Sequence, residues 1–180
     1  MHAPSDVVSI AKGAAASRVF DFDAVFTSEY GRIARIVARV IRDSARAEDL
    51  AVEAFWKLWK TPGAQGENAG GWLRRTAIRL ALDELRRCAR RERYERLLTF
   101  GRRPPTPDEL LSASEEEGRV RSVLAAMPRR EAELLLLRGD DTSYEELAST
   151  LSINPASVGT LLSRARQTFR KEYVKRYGEQ

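Results

Sequence analysis

Arg75, Arg79, Arg86, Arg90 and Arg93 recur at a spacing that, at roughly 100° per residue, gathers them within about 60° of arc on one helix face. Leu73, Ala77, Leu80, Ala81 and Cys88 fall on the opposite side, with Ile78 and Leu85 widening that apolar face. At about 1.5 Å rise per residue the arginine row is on the order of 27 Å long. That length matches the scale of phosphates along a nucleic-acid strand better than it matches any small anion. The expectation is a helix over 72–96 with one side in a core and the other against a polyanion. A solvated basic face is the plainer reading, but the row is nearly one-signed, with Asp83 the only acid at its edge. Asp83 stands four residues from both Arg79 and Arg87, where it is expected to hold their guanidinium groups.

Other chemistry is sparse. His2 is the only histidine and falls in an expected tail over 1–18, which nearly removes histidine acid–base catalysis. A single cysteine, Cys88, expected on the buried side, excludes an internal disulfide or a multi-cysteine metal site and fits a reducing cytosol. No nucleotide-binding loop or nucleophile–base pair is visible, so no enzymatic activity, cofactor or metal is expected. No apolar run approaches the roughly 18 residues of a membrane span and no signal peptide is evident, so the expected location is the cytoplasm.

The charge is more informative in its distribution than in its total of +5. Residues 72–103 hold eleven arginines against four acids, 104–118 hold five acids and no base, and 151–177 hold six cations against Glu172. Two basic segments flanking an acidic one imply two contacts with a polyanion, separated by a segment that avoids it.

The elements that must position these groups read as helices. A pattern from Phe20 through Phe22, Val25, Phe26, Tyr30, Ile33, Ile36, Val37, Val40 and Ile41 predicts two helices broken near residue 27 or 28. Ser44 is expected to cap a helix to Trp59 whose apolar residues span about 240°, wider than a stripe facing one core. The surplus, Val52 and Trp56 beside Asp49, Glu53 and Lys57, is a candidate protein contact, with burial on two sides of its own bundle as the alternative. Residues 61–71, TPGAQGENAGG, predict an exposed loop in which Gln65, Glu67 and Asn68 could read an exposed base, or serve only as turn formers.

Pro104, Pro105 and Pro107 mark a linker over 97–114 between two helical domains, 19–96 and 115–177. Ser112 with Glu115, or Ser114 with Glu117, predicts a capping box before Val120, Val123, Leu124 and Met127. Pro128 opens a short helix ended by Gly139. A second capping box, Thr142 with Glu145, leads into a helix-turn-helix whose turn is 152–154. Asn154 and Pro155 start its second helix, with Val158, Leu161, Leu162, Ala165 and Phe169 inward. Ala156, Thr160, Ser163 and Gln167 point outward, bordered by Arg164, Arg170 and Lys171, which suits a helix N-terminus entering a major groove.

Three blocks together resemble the sigma-70 family of bacterial RNA polymerase specificity subunits, in its short extracytoplasmic-function group. AEDLAVEAFWKLW (47–59) is similar to the polymerase-binding helix of the family's second region. GWLRRTAIRLALDELRR (71–87) resembles the promoter-melting and −10 element helix, and MPRREAELLLLRGDDTSYEELASTLSINPASVGTLLSRAR (127–166) resembles the −35 binding fourth region. The resemblance implies an all-α pair of domains without a third-region domain between them, and core RNA polymerase and promoter DNA as partners. Members are often held by an anti-sigma factor. It implies polymerase contacts from Asp49, Val52, Glu53 and Trp56, and −10 contacts from Gln65, Asn68, Trp72, Arg75, Arg79, Arg86 and Arg90. It implies −35 contacts from Ala156, Ser157, Thr160, Ser163, Arg164 and Arg166. The sequence departs from the common pattern at Val52, often Gln, at Arg79, often Asn, and at Gly159 and Leu161, where many members carry Lys and Arg. A stand-alone helix-turn-helix regulator of duplex DNA is the rival reading, and a protein-only helical adaptor a third.

Overall fold

The computed structural model describes residues 20–98, 113–140 and 142–178. The expected tail, the interior of the expected linker and the Ser112 or Ser114 capping box lie outside the described residues and side chains. All regular structure among the described residues is helical: α1 (Phe22–Val40), α2 (Ser44–Trp59), α3 (Ala69–Leu98), α4 (Ala113–Ala126), α5 (Arg129–Arg138), α6 (Tyr144–Leu151) and α7 (Val158–Tyr177). Short 3₁₀ turns at Pro62–Ala64 and Pro155–Ser157 precede α3 and α7.

The first helix is one piece where a break near residue 27 or 28 was expected. Its stripe of Ile33, Ile36, Val37 and Val40 is buried, and the exposed Ser28 Oγ donates back along the helix to the Val25 carbonyl at 3.2 Å. Asp21 caps it by accepting from the Ala24 N–H. The cap of α2 is Asp43, not Ser44: its carboxylate accepts from the Arg46 N–H at 3.1 Å, so Ser44 becomes the first helical residue. Ala47, Leu50, Ala51, Ala54, Phe55 and Leu58 of α2 close on α1 and on Leu73, Ala77, Ile78, Ala81 and Leu82 of α3. The three helices form one bundle.

The second bundle is α4–α7, with Val123, Leu124, Met127, Ala132, Leu134, Leu137, Leu147, Ala148, Leu151, Val158, Leu162 and Ala165 inside. Its capping box sits one residue later than expected: Ser143 Oγ accepts from the Glu146 N–H and Glu146 accepts from the Ser143 N–H. Thr142, expected in that role, is fully buried, and its carbonyl accepts from Arg138 Nη1 at 2.8 Å. Ser152 ends α6 in the left-handed region at φ 53° and turns the chain toward α7. Asn154 then accepts from the Ala156 N–H at 2.9 Å, and Pro155 opens the 3₁₀ turn. The two bundles touch: α3 packs against α4, α5 and α6.

Candidate nucleic-acid interface

The long helix α3 begins at Ala69, so Gly70 and Gly71 are helical, not loop. Gly71 has a local reason. A Cβ there would collide with the Asn68 side-chain oxygen and come within 2.9 Å of Thr150 Oγ1. Gln65, expected at a base, instead closes the preceding helix: its Nε2 donates to the Leu58 and Trp59 carbonyls at 3.0 and 2.9 Å. Asn68 Nδ2 donates to Ser149 Oγ at 3.3 Å, and Trp72 is half-buried.

The arginine row lies on one side of α3, but its two halves have different surroundings. Arg90 and Arg93 are exposed. Arg79 Nε donates to Glu133 Oε1 at 2.9 Å, and Arg75 Nε lies 3.7 Å from Glu133 Oε2. Arg86 donates to the Ala125 and Met127 carbonyls at 3.2 and 2.9 Å, satisfying oxygens that the end of α4 leaves open. The expectation of a fully open cationic face is therefore corrected: the second bundle occupies the N-terminal half of the row. A groove lined by Arg86, Arg90, Arg93 and Arg176 carries the positive surface on from there.

Two neighbours of the row also differ from expectation. Asp83 pairs with Arg129 of α5, not with Arg79 or Arg87, because Arg79 is drawn to Glu133 and Arg87 Nη2 bonds Glu84 at 2.6 Å. Glu84 is buried between Arg87 and Arg46; burial pushes its carboxyl up, but hydrogen bonds from Arg87 and Arg46 outweigh this and hold it below the usual value. Cys88 is exposed, not buried: it lies at the rim of an open pocket between α3, the start of α2 and α4. Partial burial and the adjacent Glu84 charge raise its thiol pKa, which disfavours the reactive thiolate.

The surplus apolar face of α2 is open. Val52, Trp56 and Trp59 are 51%, 54% and 61% exposed, and the neighbouring Phe55 is 2%. Lys60 Nζ lies 3.8 Å from the Trp56 ring centroid, and Glu53 pairs with Lys57 at 3.4 Å. Asp49 pairs with Arg46 at 3.7 Å. Trp59 and Lys60 were not singled out from sequence; Trp59 is held edge-on against Phe22, with centroids 5.3 Å apart, which leaves its outer face free. On α7 and its leading turn, Ala156, Ser157, Thr160, Ser163, Arg164, Arg166 and Gln167 are all exposed, while Val158, Leu162 and Ala165 are buried. One side of α7 is thus packed and the other open.

Sequence reasoning also missed the contacts between the bundles. Glu133 is 2% exposed, and Arg32 Nε donates to Asp140 Oδ2 at 2.6 Å. The available signal was phase: Glu133 stands four residues before buried Leu137, on the apolar side of α5. Among the described residues no three His, Cys, Asp or Glu side chains gather as a metal site, and no helix is long and apolar enough to cross a membrane.

Comparison with known proteins agrees with this architecture. Residues 25–92 match the family model for sigma-70 region 2 and residues 117–169 that for sigma-70 region 4. The chain is 31% identical over 161 residues to the "Probable RNA polymerase sigma factor RfaY" of Xanthomonas campestris pv. campestris, covering 85% of this chain and 40% of that one. It is 26% identical over 163 residues to the ECF RNA polymerase sigma factor SigE of Mycolicibacterium smegmatis, covering 88% and 63%. It is 25% identical over 175 residues to the RNA polymerase sigma-H factor of Pseudomonas aeruginosa, covering 83% and 84%. The first two relatives are thus longer, and the chain spans less than two thirds of each. In fold it is similar, at a TM-score of 0.50 and 18% identity, to the sigma factor RpoE solved in complex with the anti-sigma factor NepR from Bartonella quintana, over 86% of this chain and 97% of that one. With two models of one family matched in order over more than half its length, the chain belongs to the sigma-70 family, in the extracytoplasmic-function group.

Proposed function

We propose that this chain directs core RNA polymerase to specific promoters and helps to melt them. In this reading residues 19–96 form the polymerase and −10 element domain, 97–114 the linker, and 115–177 the −35 element domain. Core polymerase docks on the open side of α2 through Asp49, Val52, Glu53 and Trp56, joined by Trp59. The N-terminal part of α7 enters the major groove of duplex DNA, where Ala156, Ser157, Thr160 and Ser163 approach base edges and Arg164 and Arg166 grip phosphates. An unpaired −10 strand then lies along the arginine row, near Asn68 and Trp72, with Arg75, Arg79, Arg86 and Arg90 on its phosphates. Reading a splayed base costs a few kcal/mol of unstacking, which several charge-assisted phosphate contacts offset. Gln65 serves the loop that presents Asn68 through its bonds to the end of α2.

The observation that carries the proposal is the separation of three surfaces: an exposed tryptophan face on α2, a one-sided cationic row on α3, and an exposed polar face on α7. A duplex-binding regulator needs only the third. The chain works in the cytoplasm, where polymerase and promoters are, and without catalysis of its own; binding energy drives melting. An anti-sigma protein, of the kind bound to the structural relative, is a further proposed partner. The test is transcription by purified core polymerase on a promoter library with and without this chain. Selective initiation that depends on the chain supports the reading, and initiation no more selective with it than without it overturns it.

A further inference from the structure

The stripe that carries Arg86, Arg90 and Arg93 along α3 has one more place before the helix ends, and Leu97 holds it. Steps of four, three and four residues keep these four side chains within about 60° of arc over roughly 16 Å of helix. A nucleic-acid strand followed along this stripe would need another cation at that place. The chain supplies an alkyl group instead, and it is 63% exposed. The stripe forms one side of a cavity of about 560 Å³, a volume usual for small-ligand sites. The last turns of α4, with Ser122, Ala125 and Ala126, and Arg176 near the end of α7 make the other side.

Four guanidinium groups thus line one cleft, against a single lining carboxylate, Glu92, which is itself engaged. Arg86 is held in place, because its Nε and Nη2 donate to the Ala125 and Met127 carbonyls at 3.2 and 2.9 Å, so it has little freedom left to lose on meeting an anion. Arg176 Nε lies 3.8 Å from Glu172, and Arg90 and Arg93 are exposed. A set of like charges at this density repels itself until an anion arrives. Guanidinium groups take phosphate oxygens in pairs, so four of them suit a chain of phosphates better than one carboxylate. Leu97, with Ala89 and Ala126 also in the lining, adds apolar surface on which a flat ring can lie. The geometry points to a site for a nucleoside polyphosphate, its phosphates on the four arginines and its base against Leu97. Inorganic oligophosphate shares the phosphate chemistry and lacks the base, so Leu97 is what separates the two. The proposed function sets Arg86 and Arg90 on the phosphates of an unpaired strand. On that reading, nucleotide and strand exclude each other at these two side chains, and free nucleotide lowers the affinity for the strand.

The test titrates full-length chain with ATP, GTP, inorganic tripolyphosphate and adenosine at physiological ionic strength, where loose surface binding is largely screened. Calorimetry reads affinity and scanning fluorimetry reads the melting midpoint. ATP and GTP are expected to bind and to raise the midpoint. Tripolyphosphate should bind about threefold or more weakly, for want of the apolar contact, and adenosine should not bind. Arg93→Gln combined with Arg176→Gln spares every residue assigned to the −10 strand. It should lower ATP affinity about tenfold or more, as for the loss of at least one charge-assisted contact. Leu97→Ser should bring ATP down to the affinity of tripolyphosphate. Helix content by circular dichroism confines the comparison to folded variants. No binding of ATP by the wild type, or undiminished binding by the arginine variant, overturns the site. Equal affinity of the wild type for ATP and tripolyphosphate overturns the assignment of a nucleotide. Displacement of a labelled −10-type single strand by ATP supports the exclusion, and a strand affinity unmoved by saturating ATP overturns it. A wild-type chain that binds ATP as expected and fails to support selective transcription sinks the proposed function and leaves the site standing.

Discussion

Phe55 and Trp56 are neighbours in sequence about 100° apart around α2, one buried and one exposed, and truncating each to alanine separates core from interface. Phe55 is 2% exposed, edge-on to Phe22 and Phe26 with centroids 6.4 and 4.8 Å away, and tilted against Tyr30 at 6.1 Å. Removing such a ring costs about 3–5 kcal/mol. In a chain of this size each kcal/mol moves the midpoint by about 2–4 °C, so Phe55→Ala should melt about 6–20 °C lower. Trp56 is 54% exposed, with Lys60 Nζ over its ring. Its loss forfeits about 1 kcal/mol at an exposed cation–π site, which is about 2–4 °C. At the polymerase surface the same truncation removes a large aromatic anchor. A cost of about 2 kcal/mol or more is expected there, roughly thirtyfold in Kd. Differential scanning fluorimetry and surface capture of core polymerase read the two quantities. If Trp56→Ala melts as low as Phe55→Ala, or binds polymerase like the wild type, α2 does not present the surface argued for it.

Arg79→Glu combined with Arg86→Glu should abolish open-complex formation, scored by permanganate footprinting, while capture of core polymerase stays within about twofold, because neither arginine lies on α2. Arg164→Ala should weaken −35 duplex binding across sequences alike and lower the slope of log affinity against log salt by about one, the signature of one lost phosphate contact. Ser152→Gly should raise the melting midpoint by about 1–4 °C, since glycine removes the Cβ penalty of a residue at φ 53° without disturbing the turn. Glu84 and Glu146 both have lowered pKa values, Glu84 through Arg87 and Arg46 against the effect of burial, Glu146 chiefly through the Ser143 N–H. Each therefore adds stability that is complete above the unfolded carboxylate value and lost as pH falls through the lowered folded one. Acid titrations followed by circular dichroism should show this loss, and Glu84→Gln should flatten its acid limb.

What local periodicity controls was legible in advance. The phase of the arginines on α3, the stripe of α1, the double-sided apolar width of α2 and the inward set Val158, Leu162 and Ala165 of α7 all follow from 3.6 residues per turn. Caps slipped by one residue, Ser44 for Asp43 and Thr142 for Ser143, because adjacent short polar side chains offer the same acceptor and only the backbone selects between them. Cys88 illustrates a different limit. Its angular position matches Ala81, which is buried, but an angle on a wheel carries no information on how closely the neighbouring helices pack at that level, and here they leave an open pocket. Gln65 had the chemistry to read a base and spends it on two carbonyls seven and six residues behind it.

The closed seam is the feature least visible in sequence, since Glu133 meets Arg79 across 54 residues of chain. A carboxylate at this place nevertheless has an electrostatic effect on the row. A row of guanidinium groups pitched for a strand of phosphates repels itself while the strand is absent, and a free chain with such a row unbalanced would bind any passing polyanion. Glu133 balances part of that charge: it is 2% exposed on α5, paired with two rungs of the row, and leaves Arg90 and Arg93 exposed beyond it.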